Sequence, residues 1–467
     1  MYSLVRSSSV LILLAALCSG CASQFKPQNE PIKSYNSDHA YRFRTYQRDN
    51  DLGETLLILA FSGGGTRASA LSYGVMEELK DTRIEIDGVK TRLLDEVDYI
   101  SAVSGGSFTA AYYGLFGDKL FSDYEKVFLR QSVQGALLWQ LLSPGYWWRS
   151  LFTRFDRTEM AVEYYDNYIF KGKTFADIPL SRRPFININA TDLSQGNRFS
   201  FDQDTFDLLC SDLDKFNVAR AVTASSAVPV AFPSIVLKNH GGDCDLSESA
   251  MFRMLNESKP LDIRQRELVS GLLSYNDSEQ HPYIHLVDGG ISDNLGLRGV
   301  IDGLQLAELE NAAQDHTKKV KRVAVILVNA EVRPKRGIDE SPNKPSITDT
   351  IDAVTNAQIQ RYNVESRAIL QDQDDRIVRG FQRFGRIPYY FIEVNFQSFT
   401  SPSLKEFFNS LPTSLELSNR EIDTLIQAGR SLLRNSEEYS EFLENYTTEM
   451  PDGHIEIRID DLTDEDE

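Results

Sequence analysis

Leu56-Leu57-Ile58-Leu59-Ala60-Phe61-Ser62-Gly63-Gly64-Gly65 is an unbroken apolar run that ends in four small residues. Apolar runs without polar alternation mark strands buried on both faces, as in a parallel sheet. Beyond the glycines, Leu71, Val75 and Leu79 recur every fourth residue, with Glu77, Glu78 and Lys80 on the other side, which predicts an amphipathic helix. The arrangement repeats at Val97–Val103 (VDYISAV), which runs into Ser104-Gly105-Gly106 and a helix start rich in small and aromatic residues. Phe185–Ala190 (FININA), Ile284–Val287 (IHLV) and Arg322–Asn329 (RVAVILVN) read as further strands. Strands alternating with helices predict an α/β fold whose mostly parallel central sheet carries helices on both sides.

Three of the turns carry residue types suited to acyl chemistry. In Ala102-Val103-Ser104-Gly105-Gly106 a serine stands on a sharp strand-to-helix turn, which projects its hydroxyl from the sheet edge. Gly106, two residues on, lets the helix pack close to the strand, while the matching position before the serine is Ala102. In Gly63-Gly64-Gly65-Thr66-Arg67 consecutive unhindered N–H groups at a helix start can face a developing oxyanion, and Arg67 can add positive field or lock the loop. That loop has neither a P-loop Lys-Ser/Thr nor a G-x-G-x-x-G, because Ala68 fills the last position, which makes nucleotide binding the poorer reading. Asp288-Gly289-Gly290 puts a carboxylate at the end of a strand, where open α/β sheets bind ligands. Each signal alone is weak, since S-x-G and D-G also mark ordinary turns.

In order and spacing, GGGTR, AVSGG and DGG resemble the patatin-like phospholipase family. The resemblance continues in Asn187–Leu193 (NINATDL) and in Ala219–Pro229 (ARAVTASSAVP), and reaches Phe232-Pro233. It implies a three-layer fold and a Ser-Asp dyad, with Ser104 as nucleophile and Asp288 as base. It also implies an oxyanion hole at Gly63, Gly64 and Gly65, with Arg67, Gly106, Gly289 and Gly290 in support. The implied activity is hydrolysis of acyl esters of membrane lipids through an acyl-enzyme, with no cofactor and no metal. A catalytically silent lipid-binding lipoprotein on the same fold and an acyltransferase are the alternatives. Ala68 and Ala102 replace two motif glycines, each by one methyl. Six histidines are present, none in a motif of its own. His281 and His285 lie just before Asp288, but residues three apart on a strand face opposite sides, so His285 is expected to point away from it.

Outward from this centre, residues 1–20 read as an export signal: Arg6 precedes an apolar stretch, Val10–Leu17, too short to span a bilayer. Cys18-Ser19-Gly20-Cys21 resembles a bacterial lipobox, which makes Cys21 the candidate lipid anchor and, with Ala22 rather than Asp after it, favours the outer membrane. Residues 21–52 are expected to be a tether. The catalytic domain is expected over 53–335, with insertions near 117–180 and 238–281. A mainly helical region follows over 336–450 around the strand Tyr389–Phe396, and an acidic tail over 451–467. Cys210 and Cys244 remain beyond the anchor and are expected to pair in an oxidising compartment. All three tryptophans fall in Trp139–Trp148, as either a lipid-contacting lid or a buried satellite core. A net charge of −19 argues against nucleic acid as a partner and against electrostatic adsorption to anionic lipid, because both draw on clustered Lys and Arg. Nothing in the sequence fixes the oligomeric state.

Overall fold

The computed structural model describes residues 27–35, 40–50, 53–153, 155–229, 231–257, 259–260, 262–309, 320–332, 338, 342–372, 387–451 and 457. The export signal, Cys21 and nearly all of the acidic tail lie outside them.

Among the described residues eight strands form the central sheet. In chain order they are β1 (Thr55–Phe61), β2 (Val97–Val103), β3 (Phe185–Asp192), β4 (Arg198–Ser200), β5 (Ile235–Lys238), β6 (Tyr283–Val287), β7 (Arg322–Asn329) and β8 (Tyr389–Asn395). Across the sheet the order is β8-β7-β1-β2-β3-β6-β5, with β4 paired to β3. From β8 to β3 every pairing is parallel. β6 then runs antiparallel to β3 and to β5, and brings Asp288 to the sheet edge from the opposite direction. β1 and β7 are buried along nearly their whole length, as their unbroken apolar sequences require.

The helices used below are α1 (Phe43–Asp49), α2 (Gly65–Asp81), α3 (Gly105–Phe116), α4 (Val133–Leu141), α5 (Pro144–Phe152), α6 (Arg157–Tyr165), α7 (Val218–Ser225), α8 (Leu297–Leu309), α9 (Ile347–Gln371) and α10 (Asn419–Arg434). Helix α2 departs from its sequence pattern. Its expected polar face is covered by α10, and Glu78 is fully buried, gripped by the Arg434 guanidinium through two 2.7 Å bonds. A Cβ on Gly74 would overlap the Ile426 carbonyl, so only glycine admits this close helix contact. The C-terminal region is thus packed on the α/β core, and its strand β8 extends the same sheet.

The expected tether is shorter than its sequence suggests. At Asn29–Pro31 the chain is already docked: the Asn29 amide donates to Ser211 Oγ and the Lys238 carbonyl, and Glu30–Pro31 pairs with Ser211–Asp212. Tyr41 stacks on Phe185 at 4.6 Å, and Arg42 is buried between Asp204 and Asp207. Polar residues lead this stretch, so no apolar period announces that Tyr41, Arg42 and Tyr46 are its buried contacts. Cys210 and Cys244 form a disulfide, closing a loop across 34 positions and restricting the unfolded chain by about 3–4 kcal/mol.

Candidate active site

Ser104 sits between β2 and α3 with φ 48° and ψ −121°, a conformation that costs a non-glycine residue of order 1–3 kcal/mol and is kept only when the surroundings impose it. Those surroundings are tight. A Cβ on Gly105 would overlap the Gly65 carbonyl, and one on Gly106 would lie 2.7 Å from Phe61 Cβ. The Ala102 methyl, by contrast, is accommodated in the core. The Ser104 N–H donates to Ser225 Oγ at 2.8 Å, and Ser225 in turn donates to the Asn189 carbonyl at 2.6 Å. The end of α7 therefore ties the elbow to β3.

Ser104 Oγ donates to Asp288 Oδ2 at 2.9 Å. The other carboxylate oxygen accepts from Gly290 N at 2.7 Å. The backbone around Asp288 is pinned on three sides, by its N–H to the Ala227 carbonyl, by Gly289 N–H to the Ser225 carbonyl, and by Thr191 Oγ1 donating to its own carbonyl. Burial pushes the Asp288 carboxyl up to about 6, opposed by the bonds from Gly290 and Ser104. His285 Nδ1 lies 3.1 Å from Ser234 Oγ, away from this pair.

The glycine loop divides differently from the sequence expectation. Gly63 N–H is taken by the Asn294 carbonyl at 2.8 Å, so it is not available to an oxyanion. Distant chain segments cannot be read from GGG, and Asn294 comes from the turn after Asp288-Gly289-Gly290. The N–H groups of Gly64 and Gly65 have no acceptor among the described residues, and neither does that of Gly105 beside the serine. Thr66 N–H donates to the Ser414 carbonyl. Arg67 locks the loop: its three nitrogens donate to the Ala330 carbonyl (3.0 Å), the Leu411 carbonyl (2.8 Å) and Thr413 Oγ1 (3.1 Å). Burial lowers its pKa to about 10, which leaves it protonated at neutral pH. Among the described residues no three His, Cys, Asp or Glu side chains converge as a metal site would need.

A buried hydroxyl bonded to a buried carboxylate, beside three unpaired N–H donors, can attack a carbonyl and hold the resulting negative charge. The Patatin-like phospholipase family model matches residues 59–301, which include Gly63–Gly65, Ser104 and Asp288. The chain belongs to the patatin-like phospholipase family. No curated protein matches the chain. Among solved structures it is similar to human GIVD cytosolic phospholipase A2, at 10% identity and a TM-score of 0.31, over 71% of this chain and 58% of that one. The chain thus spans little more than half of that structure's length.

The family match ends at residue 301, yet Ala330, Leu411, Thr413 and Ser414, which fix the glycine loop, all lie beyond it. Ser225, Thr191 and Asn189, which also build the site, carry no motif of their own in the sequence. They stand inside the segments NINATDL and ARAVTASSAVP, whose similarity to the family was the one available signal.

Proposed function

We propose that the protein is a serine lipid acyl hydrolase in which Ser104 and Asp288 act as a two-residue dyad. The observation that carries this reading is the 2.9 Å hydrogen bond from Ser104 Oγ to Asp288 Oδ2 at a strained elbow. As Oγ attacks the ester carbonyl carbon, its proton passes to Asp288 Oδ2, and the carbonyl oxygen becomes an oxyanion held by the N–H groups of Gly64 and Gly65. Collapse breaks the ester C–O bond, and the leaving alcohol takes the proton from Asp288. Water then attacks the acyl-Ser104 ester, gives its proton to Asp288 and releases the fatty acid, restoring the hydroxyl. A carboxyl raised to about 6 is ionised at neutral pH and still basic enough to accept a proton in the transition state.

The test is release of free fatty acid from phospholipid by the full chain. The wild type is expected to release it and Ser104→Ala to release none; equal release by both would exclude this serine. Cys18-Ser19-Gly20-Cys21 further supports attachment to a bacterial envelope, on the outer membrane, by an acyl group on Cys21. Expressed in a bacterium, the wild type should sediment with membranes and incorporate labelled fatty acid, and Cys21→Ser should lose the label. A label retained by Cys21→Ser would place the modification elsewhere.

A further inference from the structure

The tryptophan-bearing insertion forms a helical hairpin, α4 and α5, whose outer side is apolar. Val133 and Leu137 of α4 turn inward, and Tyr146 of α5 packs on Phe155. Trp139 is 77% exposed, Leu142 72%, Trp147 56% and Leu151 76%, and Leu138 and Trp148 are exposed as well. Ser143 caps α5 by accepting from Tyr146 N, and α4 and α5 pack against each other across this short turn. Large apolar side chains clustered in this way mark an interaction surface rather than ordinary scatter.

The hairpin is tied on both sides to the residues that build the site. Gln134 at the start of α4 accepts from Ser414 Oγ at 3.2 Å, and the Ser414 carbonyl holds Thr66, next to Gly64 and Gly65. On the other side α4 packs on α6, whose Glu159 takes both terminal nitrogens of Arg220 at 2.7 Å. Arg220 lies on α7, which ends in Ser225, the residue bonded to the Ser104 N–H. Val228, next to the Ala227 whose carbonyl accepts from Asp288 N–H, is exposed too, so an apolar side chain also stands beside the Asp288 turn.

Charge narrows the occupant. Residues 133–152 contain no Asp or Glu and one cation, Arg149, in a chain of net charge −19. Arg149 is itself engaged by Glu163 and the Phe155 ring. An acidic protein is repelled by an anionic membrane but can lay an uncharged tryptophan- and leucine-rich face into a neutral one, where indole rings sit at the headgroup level.

We infer that α4 and α5 dock on a neutral or zwitterionic lipid surface and hold the Ser104 site against it, so that substrate is taken from aggregated lipid. This inference rests on the hydrolase reading for its substrate, and the docking itself can be measured without turnover. The three tryptophans of the chain all lie in the hairpin, so their emission reports on this element alone. Full-length Cys21→Ser, Ser104→Ala protein is titrated with phosphatidylcholine vesicles carrying brominated acyl chains. A blue shift of emission measured with unbrominated vesicles, together with quenching by the brominated ones, is expected. Leu142→Asp with Leu151→Asp, which keeps all three reporters, should weaken the partition roughly tenfold or more. With Ser104 restored, the same pair should lower hydrolysis of vesicle lipid while leaving hydrolysis of a soluble short-chain ester unchanged. Tryptophan emission that stays unchanged while the protein cosediments with vesicles would overturn the inference. So would a blue shift that appears without lipid and grows with protein concentration, because the face would then bind a second copy. Insertion without hydrolysis of any ester by the Ser104 protein would sink the hydrolase reading and leave the docking in place.

Discussion

The two glycine-bearing turns that meet at the site are held by different parts of the chain. The Ser104 elbow is fixed by neighbours inside residues 59–301: Ser225 holds its N–H, and Asn189 holds Ser225. The Gly63–Gly65 loop is fixed partly by Asn294 but mainly from beyond residue 301, through Ala330, Leu411, Thr413 and Ser414. The nucleophile is therefore held from within the family-matched region, whereas the oxyanion donors depend on a C-terminal segment packed on α2. Mutations on the two sides should separate accordingly.

The largest effect is expected at the elbow. Ser104→Ala or Asp288→Asn should lower kcat by about 10⁴-fold or more, with the fold retained by circular dichroism. Asp288→Asn should also change the pH dependence of stability. Because burial raises the Asp288 carboxyl from 3.8 to about 6, its contribution is fully present below about pH 4 and is lost as pH rises through about 6. Asn carries no such penalty. Denaturant unfolding at pH 8 compared with pH 4 should therefore show a relative gain for the variant, of up to about 3 kcal/mol. A variant as pH-sensitive as the wild type would mean that Asp288 is not the buried acid described here.

On the loop side, Arg67→Gln should lower kcat by about 10²-fold with KM little changed, because the donors are displaced while the lipid-contacting surface is left alone. The same change should lower stability by about 1–3 kcal/mol through the carbonyls of Ala330 and Leu411 left unpaired. A loss in KM alone would instead make Arg67 a substrate ligand. Ser225→Ala should cost less, about 1–3 kcal/mol of stability with a modest loss of kcat, and an unchanged kcat would show that the elbow holds its shape without that bond. The smallest effect belongs to Ala102→Gly, which restores a motif glycine. It should cost about 1 kcal/mol of stability through backbone entropy and leave kcat unchanged; a rise in kcat would show that the Ala102 methyl strains the elbow.

The same contrast separates what could be read in the sequence from what could not. LLILAF before GGG, VDYISAV before SGG and the Asp288 turn are punctuated locally, by apolar runs that stop at glycine, and each maps onto a strand end in the structure. The fate of the Gly63 N–H was not legible, because its acceptor is a carbonyl more than two hundred residues away. Nor was the burial of Glu78, since an apolar period assigns a helix one buried face and gives no warning that α10 covers the other. The Trp139–Trp148 stretch was ambiguous for a related reason: hydrophobic residues at helical spacing look the same whether they meet a core or solvent, and only the packing of Val133, Leu137 and Tyr146 leaves the tryptophans outside. In the presumed tether, Tyr41 and Arg42 became core contacts through Phe185, Asp204 and Asp207, partners that no local pattern names.

The most direct test of the central claim is the rate of covalent labelling by a fluorophosphonate as a function of pH, with the modified residue mapped by mass spectrometry. A single adduct on Ser104 is expected, with a rate that rises as pH passes through about 6 while Asp288 ionises, and no labelling in Asp288→Asn. An adduct on another residue, or Ser104 labelled at an undiminished rate in Asp288→Asn, would contradict that claim.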